Sequence, residues 1–153
     1  DNWPPHQILP SIELARQGKL LDRYEAMIDQ PAVRYERWKS AYADTRVLTD
    51  EVYRAYLEPL MASAHTRAAF HRCWTSFDNA QTVAIEPLLR KLTVPTLIVW
   101  GTADIFFWVN SAYWLRDVVP GVKRVVEWPG AQLFFPEDQP ARLVGPLREF
   151  LTT

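Results

Sequence analysis

The chain is poor in the residues that most often staple a fold or carry catalysis. It has one cysteine, three histidines and five glycines in 153 residues. A single Cys73 excludes an internal disulfide. Its place in the helix-like run Phe70-His71-Arg72-Cys73-Trp74 suits a buried thiol acting as a small hydrophobe. The glycines Gly18, Gly101, Gly121, Gly130 and Gly145 never bracket a serine or an acidic residue, so no strand-to-helix nucleophile elbow is present. Phosphate-cradling glycine patterns are missing too, and no His, Cys and carboxylate group has ligand spacing, so neither a cofactor nor a metal is expected. Charge of one sign is also lacking: the net charge is −1 and the basic residues are scattered, often beside acids as in Glu36-Arg37 and Asp22-Arg23. That excludes the basic footprint of a nucleic-acid binder and favours a small neutral or weakly polar ligand. No apolar run approaches the ~18–20 residues of a membrane-spanning helix, and the amino terminus has no signal-peptide pattern. The expectation is a soluble, cytoplasmic protein without a membrane partner. A chain opening on Asp1 and not on Met is expected to be a piece of something longer.

What the chain does have is apolar and aromatic content: 48% hydrophobic residues with 7 Trp, 7 Phe and 6 Tyr, enough to build a core. Its two halves differ in period. Residues 8–92 are helical in pattern, with Pro, Asp, Asn and Thr marking the boundaries. Pro10-Ser11-Ile12-Glu13 starts a helix running towards Ile28. Pro31 opens a second with Tyr35, Trp38 and Tyr42 on one face, and Thr49-Asp50-Glu51 caps a third. Val52, Tyr56, Leu57 and Leu60 form an apolar stripe along that third helix. Further helices are expected over about 63–74 and 80–92. At Val94-Pro95 the character changes. Thr96-Leu97-Ile98-Val99-Trp100 is an unbroken apolar run, the mark of a parallel strand buried on both faces. A turn at 101–104, a helix over 110–119 and a β-branched run over 122–128 complete a βαβ unit, followed by an amphipathic helix over 140–151 whose apolar face carries Leu143, Val144, Leu147, Phe150 and Leu151. The expected organisation is a helical region, 1–92, and an α/β region, 93–153. Two parallel strands cannot bury both faces alone, so partner strands from another segment, or self-association, are expected.

In open α/β sheets ligands bind beyond the carboxyl ends of the strands, here the loops 101–108 and 129–138, which are expected to be neighbours. Asp104 is the only carboxylate in the first loop. It could orient a histidine base, or it could cap the turn that follows it. The aromatics Phe106, Phe107, Trp108, Tyr113 and Trp114, with Trp3, Trp38 and Trp74, either line an apolar pocket or pack between layers; Phe107 and Trp108 are the pocket candidates because they lie nearest Asp104.

The run from Leu92 to Asp104, ending Trp100-Gly101-Thr102-Ala103-Asp104, resembles the seventh strand and acid turn of the α/β-hydrolase superfamily. The run from Pro129 to Pro140 is similar to that superfamily's loop after the eighth strand, and the helices with Leu48-Thr49-Asp50-Glu51 and Tyr56-Leu57-Glu58-Pro59 resemble the cap of its haloalkane dehalogenase and epoxide hydrolase branch. The resemblance implies an α/β-hydrolase fold fragment: a helical cap followed by a carboxyl-terminal parallel βαβα unit. The parent would hydrolyse a small apolar ester, epoxide or halide, with Asp104 as catalytic acid and Phe107, Trp108, Gln132 and Leu133 near the substrate. The chain departs from the pattern in two places. Leu133, preceded by Gln132, stands where the family carries its catalytic His, and His6, His65 and His71 are far from that loop in sequence. The nucleophile is absent as well, so the missing amino-terminal half of the core, or self-association, is the implied partner, and this chain alone is catalytically incomplete. Asp1 would fall where some members place an alternative acid. The rival expectation is a non-catalytic binding protein on the same scaffold.

Overall fold

A glycine breaks the first expected helix in two. The computed structural model describes residues 4–152, and in it α1 (Leu9–Arg16) and α2 (Leu20–Asp29) are separated at Gly18, whose φ is +72°. The Gly18 amide donates to Ala15 O at 2.9 Å and the Lys19 amide to Leu14 O at 2.9 Å. This nested pair of bonds closes a helix on a left-handed residue, a conformation that glycine adopts without steric cost. The single helix expected over 10–28 is therefore corrected to two.

The chain divides into two compact units, the first made of residues up to Lys39 together with Thr45–Asn79, the second of Ser40–Asp44 together with everything from Ala80 onward. The expected boundary lay at 92/93; the division runs after Asn79 and lends a five-residue segment of the helical half to the second unit.

The first unit continues with α3 (Pro31–Trp38), α4 (Asp50–Met61) and α5 (Ala64–Thr75). Thr49 caps α4 by accepting the Val52 amide at 3.3 Å, and Ser63 and Thr66 form a reciprocal capping box at the start of α5. Its core is Ala15, Leu20, Tyr24, Met27 and Leu57, with Phe70 and Trp74 packed against it. Each fully buried Leu or Met there contributes about 1.5–3 kcal/mol of hydrophobic stabilisation. Tyr53 and Leu57 form the buried side of α4, whereas Tyr56 is exposed, so the stripe is turned by about one residue from that expected. Arg34 is buried; it donates to Ile28 O at 3.0 Å, pairs with Asp50 and lies over the Tyr53 ring. Tyr42 was expected on one face with Tyr35 and Trp38, but α3 ends at Trp38 and Tyr42 belongs to the second unit. Cys73, expected to be buried, is exposed.

In the second unit the helix expected over 80–92 is two short pieces, α6 (Asn79–Ala84), which begins at the unit boundary, and α7 (Glu86–Leu89). Then come β1 (Thr96–Gly101), α8 (Asn110–Val118), β2 (Val122–Trp128), α9 (Phe135–Asp138) and α10 (Pro140–Leu151). β1 and β2 pair in parallel, with Ile98 opposite Val125 and Trp100 opposite Glu127, and α8 crosses between them in sequence and packs on both. Mixed helix and strand with a two-stranded parallel sheet is thus the fold class. The burial expected of β1 on both faces is absent: only Ile98 and Gly101 are buried in it, and the other strand residues are half-buried. No residue of α10 is buried either, and Val144 and Leu151 of its apolar face stand exposed. No helix among the described residues is long and apolar enough to cross a membrane.

Candidate functional site

β1 delivers Asp104 to the carboxyl end of the sheet. Gly101 ends the strand, and the Asp104 amide donates back to Gly101 O at 3.3 Å, turning the chain. Glycine is required at 101 by close approach: a Cβ there would lie 2.7 Å from the carbonyl carbon of Ala131, on the loop after β2. The two loops are bonded neighbours. The Thr102 amide donates to Trp128 O at 3.1 Å, the Ala103 amide to Ala131 O at 3.0 Å, and the Gly130 amide to Thr102 Oγ1 at 3.3 Å.

Asp104 is 9% exposed. Its Oδ1 accepts the amides of Phe106 at 2.7 Å and Phe107 at 3.0 Å, which is the turn-capping role weighed from the sequence. Burial pushes its carboxyl above the ordinary aspartate range, while the Phe107 and Phe106 amides pull it down. Oδ2 takes no hydrogen bond from the described residues. One oxygen thus fixes the turn and the other is left to accept a further donor. The turn is braced from β1, because Trp100 Nε1 donates to Phe107 O at 2.9 Å.

Phe107 is half-buried and Trp108 is 56% exposed. In the second loop Leu133 is half-buried, and Gln132 Oε1 is buried without a hydrogen-bond partner among the described residues. An acceptor held this way can take a donor from a bound molecule. The hydrogen bonds join the Asp104 and Gln132 loops through Thr102, Ala103, Trp128, Gly130 and Ala131; among the described residues none runs from Trp108 to the second loop. Asp1 and Trp3 lie outside the described residues. His65 is exposed in α5, and His71 Nε2 lies 2.9 Å from Ala15 O in the first unit.

Sequence reasoning missed what holds the second loop. Residues 40–44 form a strap on it: the Phe134 amide donates to Ala41 O at 2.9 Å, Tyr42 Oη donates to Glu137 Oε2 at 3.0 Å, and Asp138 Oδ2 accepts the amides of Ala43 at 2.7 Å and Asp44 at 2.9 Å. The Tyr42 and Phe134 rings lie 5.0 Å apart. Ala41 and Tyr42 are buried by this contact though they fall between helices in the sequence. A tyrosine and small residues beside a helix end carry no signal that they belong to a loop ninety positions away.

These features define a class: a parallel βαβ unit with a buried, turn-capping aspartate at the carboxyl end of its first strand, on a loop hydrogen-bonded to the one that follows its second. Comparison with protein-family models, with curated proteins and with solved structures gives no match.

Proposed function

We propose that the chain is the carboxyl-terminal portion of a cytoplasmic α/β-hydrolase-like protein of the haloalkane dehalogenase and epoxide hydrolase branch, whose parent hydrolyses a small apolar ester, epoxide or halide with Asp104 as catalytic acid. The position of Asp104 carries the reading. It is a buried carboxylate just past the end of a parallel strand, with Oδ1 fixed by two amides and Oδ2 open. A carboxylate so held can orient a histidine and stabilise the imidazolium that forms when the histidine takes a proton from the nucleophile. The second unit holds no histidine among its described residues and the sequence has no nucleophile elbow, so on this reading the rest of the core supplies both. Leu133, half-buried where the resemblance calls for histidine, favours a second reading: a binding protein in which Leu133, Phe107 and Trp108 offer apolar surface and Gln132 Oε1 fixes a donor.

The test is hydrolysis of a panel of aryl esters, epoxides and haloalkanes by this chain assembled with the amino-terminal half of its core, in the wild type and in Asp104→Asn. The hydrolase reading expects turnover that falls by about 10³–10⁴-fold in the variant. Turnover undiminished by Asp104→Asn removes the acid role. Ligand binding without turnover, seen as a change in tryptophan fluorescence that Asp104→Asn leaves intact, establishes the second reading.

A further inference from the structure

The turn that carries Asp104 is anchored on its near side by the second loop and on its far side by a side chain of β1. On the near side the amides of Thr102 and Ala103 donate to Trp128 O and Ala131 O. On the far side the chain runs through Ile105 and Phe106 to Phe107, which is held at both of its backbone groups. Its amide donates to Asp104 Oδ1 at 3.0 Å, and its carbonyl accepts from Trp100 Nε1 at 2.9 Å. Trp100 immediately precedes Gly101 at the end of β1 and is paired with Glu127 of β2, so the sheet register fixes where its side chain starts. From there the indole grips, seven residues ahead in sequence, the residue whose amide the carboxylate caps.

The grip needs tryptophan. The indole nitrogen is a donor and never an acceptor, and a tryptophan taken out of water finds a partner for it. Phenylalanine at 100 would keep a ring and lose the bond. Only φ and ψ of Phe107 separate its amide from its carbonyl, so a carbonyl fixed by Trp100 limits the rotations that would carry the amide away from Oδ1. That amide matters to the carboxylate. Burial raises the Asp104 carboxyl, and of the two amides that oppose burial the Phe107 amide is the stronger. No charged side chain among the described residues contributes to the shift.

We propose that Trp100 is a positioning residue for Asp104: its indole N–H, acting through Phe107, keeps the amides of the turn on Oδ1 and so reserves Oδ2 for a donor from outside the turn. With the Phe107 carbonyl released, residues 105–107 can swing and the carboxylate can turn with them, and the division of labour between its oxygens is lost. A group that must meet its partner in one geometry is held by neighbours that are themselves fixed, and those on strands hold more tightly than those on loops. Trp100 stands on the strand, whereas Phe106 and Phe107 belong to the loop that it braces. Only the identity of the donor at Oδ2, a histidine, rests on the hydrolase reading. The hold on the carboxylate is measured without substrate, so an inactive assembly leaves it standing.

The test is a carbon-detected titration of the Asp104 carboxyl in the wild-type chain and in Trp100→Phe, with amide exchange measured on the same samples. In the variant the midpoint should move to higher pH, because the carboxylate loses hydrogen bonding that favours its charged form. The Phe107 amide should exchange about 10-fold faster, the factor expected for one hydrogen bond of ordinary strength, while Thr102 and Ala103, bonded to the second loop, keep their rates. A packing role alone would lower stability in urea and leave the midpoint where it is. An unchanged midpoint therefore overturns the proposal, and so does a midpoint moved to lower pH, the result of water reaching the carboxyl. Should Trp100→Phe fail to fold, the wild type decides. Its Trp100 indole proton resonance should titrate with the midpoint of the Asp104 carboxyl, and Asp104→Asn should abolish that step. An indole resonance indifferent to the carboxyl overturns the proposal.

Discussion

At Asp104 one side chain does two jobs with its two oxygens. Oδ1 fixes the turn through Phe106 and Phe107, and Oδ2 is available to a donor. Asp104→Ala leaves both amides without their acceptor and is expected to cost about 1–3 kcal/mol of stability in urea unfolding. Asp104→Asn keeps an oxygen in place and should cost much less. The two variants also separate charge from shape. Burial raises the folded-state pKa above the unfolded value near about 3.9. The folded chain therefore holds this proton more tightly than the unfolded chain. The contribution to stability is fully present below the unfolded pKa and is lost as pH rises through the raised folded pKa. The stability of Asp104→Asn relative to wild type should accordingly improve as pH rises from below the unfolded value through the raised folded one. A relative stability that instead worsens over that range would contradict the assignment of burial as the dominant cause. The sequence pointed to Asp104 because a lone carboxylate after Gly101 stands out. It left open whether that carboxylate caps its own turn, and the geometry adds the cap without removing the free oxygen.

Among the elements, the strands were legible as short apolar or β-branched runs, and α8 and α10 as helical stretches, each bounded by a clear breaker. Where reading failed, a local signal had been outweighed by a regular one. The run 10–28 is periodic throughout, yet Gly18 at +72° and the paired bonds of Lys19 and Gly18 stop it. The extent of α10 was legible from its spacing, but spacing says nothing of what covers the apolar side chains, and no residue of that helix is buried. The strap was not legible at all, because its bonds join positions far apart in sequence. It supplies a test at this scale. Asp138→Ala removes the acceptor of the Ala43 and Asp44 amides and should lower stability by about 1–2 kcal/mol, with those two amides exchanging markedly faster by nuclear magnetic resonance. Unchanged exchange at Ala43 and Asp44 would mean that Tyr42 packing and the Phe134 to Ala41 bond hold the strap alone.

The chain as a whole holds two units in different states of completion. The first encloses its own cluster, in which Ala15, Leu20 and Met27 are fully buried. The second pairs two strands and leaves most of their residues half-buried. Apolar surface left in water contributes none of the roughly 25 cal/mol per Å² that burial provides, so the second unit has the smaller reserve of stability. That contrast was foreseeable from the sequence, since two parallel strands cannot bury both faces alone, but that β1 has interior composition while β2 carries exposed charges marks which side lacks a neighbour. If residues 80–152 are part of a larger α/β core, the second unit should open before the first in dilute solution. The decisive measurement is residue-resolved amide exchange of the dilute wild-type chain against urea. The amides of Ile98 and Trp100 should lose protection at clearly lower urea than those of the buried α2 and α4 positions Met27 and Leu57. Loss of protection in both units at one shared urea concentration, with equal slopes, would mean that the second unit is complete as it stands and would contradict the reading of it as part of a larger core.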